Sequence, residues 1–433
     1  MKLVSVRWLA AIVAAFVCQL SIQAAEELRV GIFGDWQISN PARSSSASLL
    51  KDIFTSMKNL GVDAVMMTGD VASGGQPEVY EFFMKTYNEV FADQKPELLM
   101  VMGNHDFRNK KYVTREEKLK VFMDAFKMKE LDYVRTVKGY KFVAFNPTNT
   151  NGEQYTKEHF PRFQKMIRGA IQESGNKPVF VFSHFPAYNT VYGSVYGKGA
   201  VTEILKPFSK IVYISGHSHW PIADDKSIYQ NKYTAFQTGT TSWTELEPAF
   251  FNRKKAMSSA YGKARCFLYM TVNDKEIKVR RFDVSAKREI KPNRPWIISL
   301  PLDPATYKYT KARAGLNRKA PEFPAKAAGE VVPVKGGVKL VFDAAKHDDF
   351  VHSYALHISQ WDGKAWQAVP VKKELLFCSD FFLGIEKMKK RYDVEIPAAT
   401  FQFEAGKRYQ LEIIPIESYG KRGKGIFVEY NAK

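Results

Sequence analysis

Five short apolar runs in the first half of the chain each stop at a small residue followed by a side chain able to hold a metal. Three are Val30-Gly31-Ile32-Phe33 before Gly34-Asp35, Ala64-Val65-Met66-Met67 before Gly69-Asp70, and Leu98-Leu99-Met100-Val101-Met102 before Gly103-Asn104-His105-Asp106. The other two are Val179-Phe180-Val181-Phe182 before Ser183-His184, and Ile211-Val212-Tyr213-Ile214 before Gly216-His217-Ser218-His219. Runs this short, bounded by turn residues, read as buried strands. Laid side by side, they bring two Asp, one Asn and up to four His to one sheet edge. In open α/β sheets, that carboxyl edge is where ligands bind.

A single Gly-Asp pair after a strand is ordinarily a turn, and a single buried His is ordinarily a satisfied core residue. The set has a different meaning. Four of the eight His in the chain fall at these strand ends. Carboxylate, amide oxygen and imidazole form a mixed oxygen and nitrogen donor set suited to divalent Mn, Fe, Zn or Mg rather than to a thiolate-type site. The expectation is a centre holding two divalent metal ions. Such a centre suits phosphoester cleavage, because the ester is an anion that repels hydroxide. Two metals roughly 3.5–4 Å apart neutralise that charge and lower the pKa of a bridging water.

These motifs resemble, in order, the five of the calcineurin-like metallophosphoesterases, over about residues 28–301. The resemblance implies a four-layer α-β-β-α sandwich. It makes Asp70 the carboxylate bridging both metals, with Asp35 and His219 on one ion and Asn104, His184 and His217 on the other. His105 becomes the outer-sphere acid and Asp106 its orienting partner. The first motif departs from the family, which usually places His two positions after the Asp, where this chain has Gln37. Three roles are open to Gln37: metal ligand, contact to a metal-bound water, or turn-capping amide. The second motif continues Val71-Ala72-Ser73, without the Tyr that purple acid phosphatases place three residues after the Asp. That argues against a tyrosinate-bound ferric site, although Gly34-Asp35-Trp36 resembles their start.

Lys2 and Arg7 precede an apolar stretch from Trp8 to Leu20, with small residues Ala24 and Ala25 suited to cleavage after it. This reads as a secretory signal peptide over residues 1–25, too short for a stable membrane span, and it implies a periplasmic or extracellular product. Cys266 and Cys378 then remain and read as buried thiols rather than a disulfide framework.

After Asp35, helical patterns at Ser46–Leu60, Glu78–Phe91, Arg115–Lys127 and Lys157–Glu173 alternate with strands, as a layered α/β domain requires. Cys266 to Phe282 reads as a closing strand pair turning at Asn273-Asp274. The catalytic domain is expected over residues 26–301, followed by a Pro-rich basic linker over 302–324. Beyond it the apolar period becomes two, at Val338, Leu340 and Phe342, at Tyr354, Leu356 and Ile358, at Tyr392, Val394 and Ile396, and at Tyr409, Leu411 and Ile413. Asp362-Gly363 supplies a turn, and the whole of 325–433 reads as an all-β sandwich. Glu404 to Tyr409 resembles a corner of fibronectin type III domains. The sandwich either packs against the catalytic domain, the favoured role, or contacts a glycan or protein partner. His347, His352 and His357 complete no metal pattern and read as surface or strand residues.

The net charge is +19, or +17 once Lys2 and Arg7 are removed, which draws anions such as phosphoester substrates. Basic clusters at Arg253-Lys254-Lys255, Lys389-Lys390-Arg391 and Lys421-Arg422 accompany no nucleic-acid module and read as solvated faces. The aromatic, glycine-containing segment after His184, with Tyr188, Tyr192 and Tyr196, either stacks on substrate or packs the loop, and Trp36, Trp220 and Trp243 are candidates for the same wall. The sequence therefore reads as an exported, metal-dependent phosphoester hydrolase, monoesterase or diesterase. The alternative is a phosphate-ligand or partner-binding protein of weak turnover.

Overall fold

The computed structural model describes residues 27–44, 47–196, 199–251, 265–316, 318–371, 373–383, 385 and 388–433. The predicted signal peptide, Gly197 and the Arg253-Lys254-Lys255 cluster lie outside them.

Among the described residues, thirteen strands build the first part of the chain: β1 (Leu28–Phe33), β2 (Ala64–Met67), β3 (Glu97–Met100), β4 (Tyr133–Val137), β5 (Tyr140–Ala144), β6 (Val179–Phe182), β7 (Ile211–Ser215), β8 (Ile228–Gln230), β9 (Thr234–Gln237), β10 (Cys266–Val272), β11 (Glu276–Asp283), β12 (Arg288–Ile290) and β13 (Trp296–Ser299). One sheet runs β12-β11-β10-β1-β2-β3, with β13 also on β11, and the other runs β4-β5-β6-β7-β9-β8. At the centre of each, the neighbours β1-β2-β3 and β5-β6-β7-β9 are parallel. All five motif strands therefore end at the same kind of edge.

Alternation along each strand divides its side chains between two cores. In β2, Ala64 and Met66 point at the other sheet, where they meet the layer that holds Phe180, Phe182, Val212 and Ile214. Val65 and Met67 point outward to helices α1 (Ala47–Asn59) and α2 (Pro77–Val90), packing with Phe54 and Phe83. Both faces are covered, which is why these strands are unbroken apolar runs. Helix α3 (Arg115–Ala125) joins that outer layer and starts at a Thr114–Glu117 capping box. Helices α4 (Phe160–Ser174) and α5 (Gly199–Leu205) cover the far side of the second sheet. The result is the expected α-β-β-α sandwich. Helix α5 was not legible in advance, because it opens on Gly199 and has only seven residues.

The C-terminal part is all antiparallel. Its strands are β14 (Gly329–Val334), β15 (Gly337–Asp343), β16 (Val351–Trp361), β17 (Trp366–Ala368), β18 (Leu375–Cys378), β19 (Arg391–Pro397), β20 (Arg408–Glu417) and β21 (Ile426–Asn431). They form a sheet β14-β15-β19 and a sheet β17-β16-β20-β21 with β18 on β16. The period-two residues Leu340, Phe342, Tyr354, Leu356, Ile396 and Leu411 fill the space between the sheets. The connecting segment runs along the first part: Gln230 N donates to Tyr309 O at 2.9 Å and Arg313 Nη2 to Ile228 O at 2.6 Å.

The two parts meet through a buried aromatic cluster of Tyr192, Trp220 and Phe250 against Phe350, Phe381 and Phe382. Phe251 N donates to Leu376 O at 2.8 Å across the same junction. Cys266 and Cys378 are both free and buried. Among the described residues, no helix is long and apolar enough to cross a membrane.

Candidate metal centre

Each motif strand hands its chain to a tight turn that aims one side chain back over the sheet edge. Asp35, Gln37, Asp70, His217 and His219 all have positive φ, between 46° and 67°. Non-glycine residues rarely adopt this region and cluster at functional sites when they do. The turns leave no slack. A Cβ on Gly103 would lie 2.1 Å from Asp70 Oδ1, so only glycine lets the third motif approach the second this closely.

The side chains converge as two groups that share Asp70. Asp70, His184 and His217 present ligand atoms within 4.8 Å of one another, and Asp35, Asp70 and His219 do the same. His184 Nε2 lies 3.3 Å from Asp70 Oδ2, 3.2 Å from Asn104 Oδ1 and 3.2 Å from His217 Nδ1. His219 Nε2 lies 3.2 Å from Asp35 Oδ1. Asp35 and His184 are fully buried, with Asp70 close behind at 1% exposure.

The remote ring atoms fix how the two imidazoles face. His184 Nδ1 donates to Thr68 O at 2.8 Å and His219 Nδ1 to Trp243 O at 3.0 Å, which leaves each Nε2 lone pair directed into the cluster. Metal-binding imidazoles are oriented by this kind of outer hydrogen bond. Gln37 Nε2 donates to Asp70 Oδ2, and its buried Oε1 has no hydrogen-bond partner. Buried carboxylates, directed imidazole lone pairs and an orphaned amide oxygen fit a pair of divalent cations.

The electrostatics follow from the packing. Burial alone would raise the Asp70 carboxyl, but the charge and hydrogen bond of His184, with His105 and His217 nearby, hold it low. Burial would lower His184, yet Asp70 and Asp35 push it up to about 9. Burial likewise opposes a proton on His219, and Asp35 raises it. His217 is lowered by burial and by the charge of His184.

His105 donates its backbone N–H to Asp70 Oδ1 at 2.8 Å, and the residue is half-buried. The ring Nδ1 lies 3.1 Å from Ser73 O and 3.0 Å from Arg108 Nη1. Asp106, expected to orient this ring, does not face it. Its carboxylate accepts from Val71 N, Ala72 N, Gly103 N and the Tyr80 hydroxyl, at 2.9–3.3 Å. It therefore ties the second motif to the third. Burial and the charge of Asp70 raise its pKa, opposed by those donors.

Other expectations are revised by packing. Trp36 is fully buried, with its ring 6.2 Å from Phe82 and 6.1 Å from Phe83, so it belongs to the core rather than to a substrate wall. Tyr192 stacks edge-on with Trp220 at 4.3 Å and turns toward the C-terminal part, where its hydroxyl meets His352 Nε2 at 2.8 Å. His352 is thus a buried junction residue, while His357 is an exposed strand residue. Tyr188, at 50% exposure, is free to meet solvent. Residues not singled out from sequence support the ligands, notably Thr68 and Ser242, whose hydroxyl donates to Asp35 O at 2.7 Å.

Residues 28–221 match the family model described as calcineurin-like phosphoesterase. Over this stretch, a little under half of its length, the chain is similar to that family. No curated protein matches the chain. Among solved structures, a purple acid phosphatase from yellow lupin (Lupinus luteus) seeds is 14% identical, with a TM-score of 0.45, over 64% of this chain. The match spans about half, 54%, of the lupin chain. A predicted phosphoesterase from Streptococcus pneumoniae is 12% identical, with a TM-score of 0.29, over 64% of this chain and 99% of its own. Vacuolar Protein Sorting 29 from Cryptosporidium parvum is 10% identical, with a TM-score of 0.31, over 63% of this chain and 96% of its own.

Proposed function

We propose that the chain is an exported, metal-dependent phosphoester hydrolase that acts on phosphomonoesters or phosphodiesters. The observation that carries this reading is the convergence of Asp35, Asp70, His184, His217 and His219 into two donor groups sharing one carboxylate. Asp35 and His219 would hold one divalent ion, Asn104, His184 and His217 the other, and Asp70 both. When bound, such a pair supplies charge neutralisation and a nucleophile at neutral pH. Gln37 Oε1 is a further oxygen donor for the first ion.

The protein's own groups divide the remaining work. Thr68 O and Trp243 O keep His184 and His219 in the tautomer that presents Nε2 inward. Asp106 holds the second and third motif loops at a fixed separation through three backbone hydrogen bonds, and a fourth, from Tyr80, ties them to α2. His105 has its Nδ1 engaged by Ser73 O and Arg108, so Nε2 is the atom left to pass a proton to a leaving oxygen. Burial, with the charge of Arg108, lowers the His105 pKa against the pull of Asp70, which favours giving a proton up.

Export rests on the leader at residues 1–25, and a periplasmic or extracellular location follows from it. The C-terminal sandwich is read as fibronectin type III-like with a packing role. Tyr409 Oη accepts from Glu404 N at 3.0 Å, the kind of tyrosine-to-upstream-backbone bond found at the corner of such sandwiches. A second reading, a phosphate-ligand or partner-binding protein of weak turnover, draws on the contact of Gln37 with Asp70 where the family has His. Hydrolysis of paired aryl phosphate monoester and diester by the Mn-loaded mature protein tests the proposal. Turnover of either supports it, and the preferred ester assigns the class. Absence of both, with bound phosphate, favours the second reading.

A further inference from the structure

A cavity of about 650 Å³ opens beside the catalytic face, between the loop that follows His105 and the turn at residues 149–153. Its volume is in the range of pockets that hold small organic ligands. Arg108, Lys110 and Lys118 line it, against a single carboxylate, Glu153, and Tyr112 and Asn151 complete the part of the wall that matters here. Arg108 joins the cavity to the metal centre, because its Nη1 lies 3.0 Å from His105 Nδ1. Among the described residues, neither Arg108 nor Lys110 has a carboxylate partner. Lys118 Nζ is turned to Thr150 O at 3.1 Å, across the cavity wall.

The walls are fixed to the motif loops rather than draped over them. Gly75 has φ +62°, and a Cβ there would come within 2.2 Å of Asp106 O; its own carbonyl accepts from Asn109 Nδ2 at 2.9 Å. Gly152 has φ +71°, and a Cβ there would come within 2.4 Å of the Phe107 ring. Both glycines permit an approach that no other residue allows, one from the second motif and one from the opposite wall. The cavity is therefore built onto the segment that carries His105.

We infer that this cavity binds a second phosphoryl group carried on the leaving portion of the substrate, so that bisphosphorylated compounds are preferred over singly phosphorylated ones. The inference rests on the hydrolase reading. Arg108 stands at Nδ1, across the His105 ring from the Nε2 that would protonate the leaving oxygen, so a leaving portion long enough to pass the ring brings its second phosphoryl group to Arg108. There a guanidinium meets a phosphate through paired hydrogen bonds, and the ammonium groups of Lys110 and Lys118 add charge. A singly phosphorylated substrate fills the metal centre and leaves these cations to water.

The test compares kcat/KM for glucose 1,6-bisphosphate and glucose 1-phosphate in the Mn-loaded full-length mature protein, in wild type and in Arg108→Gln, Lys110→Gln and Lys110→Arg. A parallel calorimetric titration of each protein with inorganic pyrophosphate reads binding without turnover. The expected bisphosphate preference in wild type is about tenfold, the worth of one charge-assisted contact. It should fall toward unity in Arg108→Gln and Lys110→Gln and return in Lys110→Arg. Pyrophosphate affinity should follow the same order. Turnover of glucose 1-phosphate with no bisphosphate preference overturns the inference and leaves the hydrolase reading intact. If no ester is turned over, the hydrolase reading falls, and pyrophosphate binding then decides the cavity alone. Binding weakened by both Gln variants supports an anion site there, and binding unaffected by them refutes it.

Discussion

The junction between the first part of the chain and the C-terminal sandwich is held by a partly buried charge, and Glu247→Gln measures what it contributes. Glu247 Oε1 accepts from the Tyr192 hydroxyl at 2.5 Å and lies 3.3 Å from His352 Nε2 and 3.8 Å from Lys226 Nζ. Burial pushes its carboxyl up, but the hydrogen bond and charge of His352, with Lys226 and Tyr192, bring it down from the ordinary 4.5 to about 2. A depression of that size corresponds to roughly 3 kcal/mol at about 1.4 kcal/mol per pKa unit. With 27% of the side chain exposed, solvent screening reduces this to about 2 kcal/mol. Because the folded pKa lies below the unfolded one, the contribution is complete above about pH 4.5 and is lost as pH falls through about 2. Urea unfolding of wild type and Glu247→Gln, followed at pH 7 and pH 3, reads the effect. The expected gap is about 2 kcal/mol at pH 7, with more than half of it gone at pH 3. A gap of the same size at both pH values would refute the electrostatic reasoning, and so would a variant as stable as wild type at pH 7.

Three further outcomes follow from the packing. Gly103→Ala should lower metal affinity by tenfold or more without unfolding the domain, as its Cβ would displace the Asp70 carboxylate from 2.1 Å away; calorimetric Mn titration checks this. Arg281→Met should cost about 1–3 kcal/mol in thermal or urea unfolding. Arg281 is 1% exposed and donates to Ile222 O, Arg294 O and Asp225 Oδ1 at 2.6–3.0 Å, so its removal takes the guanidinium donor from two carbonyls, while the partly exposed Asp225 keeps Trp296 Nε1 and Lys291. Gln37→His should leave turnover nearly unchanged if the amide oxygen already acts as a ligand, and should raise it sharply if the first ion is held weakly; steady-state kinetics at fixed Mn separates the two.

Much of the site was legible because its signals are local. An apolar run, a glycine and a ligand residue sit within about ten positions of one another, and β1, β2, β3, β6 and β7 all deliver their turns to matching edges. Period-two apolar residues such as Leu340, Tyr354 and Leu411 likewise announced the C-terminal sheets. What escaped depends on separation along the chain. Tyr192 and His352 are 160 residues apart, and nothing near either one signals their hydrogen bond. Trp36 looked like a site residue by its place beside Asp35, but the turn after β1 sends its ring to Phe82 and Phe83. The resemblance implies that Asp106 orients the His105 ring, whereas the turn that places it brings its carboxylate to three backbone N–H groups. Arg108 carried a signal that went unweighed, a cation three residues after the candidate acid, within one turn of it.

Metal content offers the most direct test of the central claim, that Asp70 is shared between two metal positions. Purified wild type and Asp70→Asn, equilibrated with Mn and freed of excess, would be measured for bound metal per chain and for hydrolysis of an aryl phosphate. Two ions per wild-type chain are expected, with loss of metal and turnover together in Asp70→Asn, because one carboxylate serves both donor groups. Full occupancy and full activity in Asp70→Asn would contradict it.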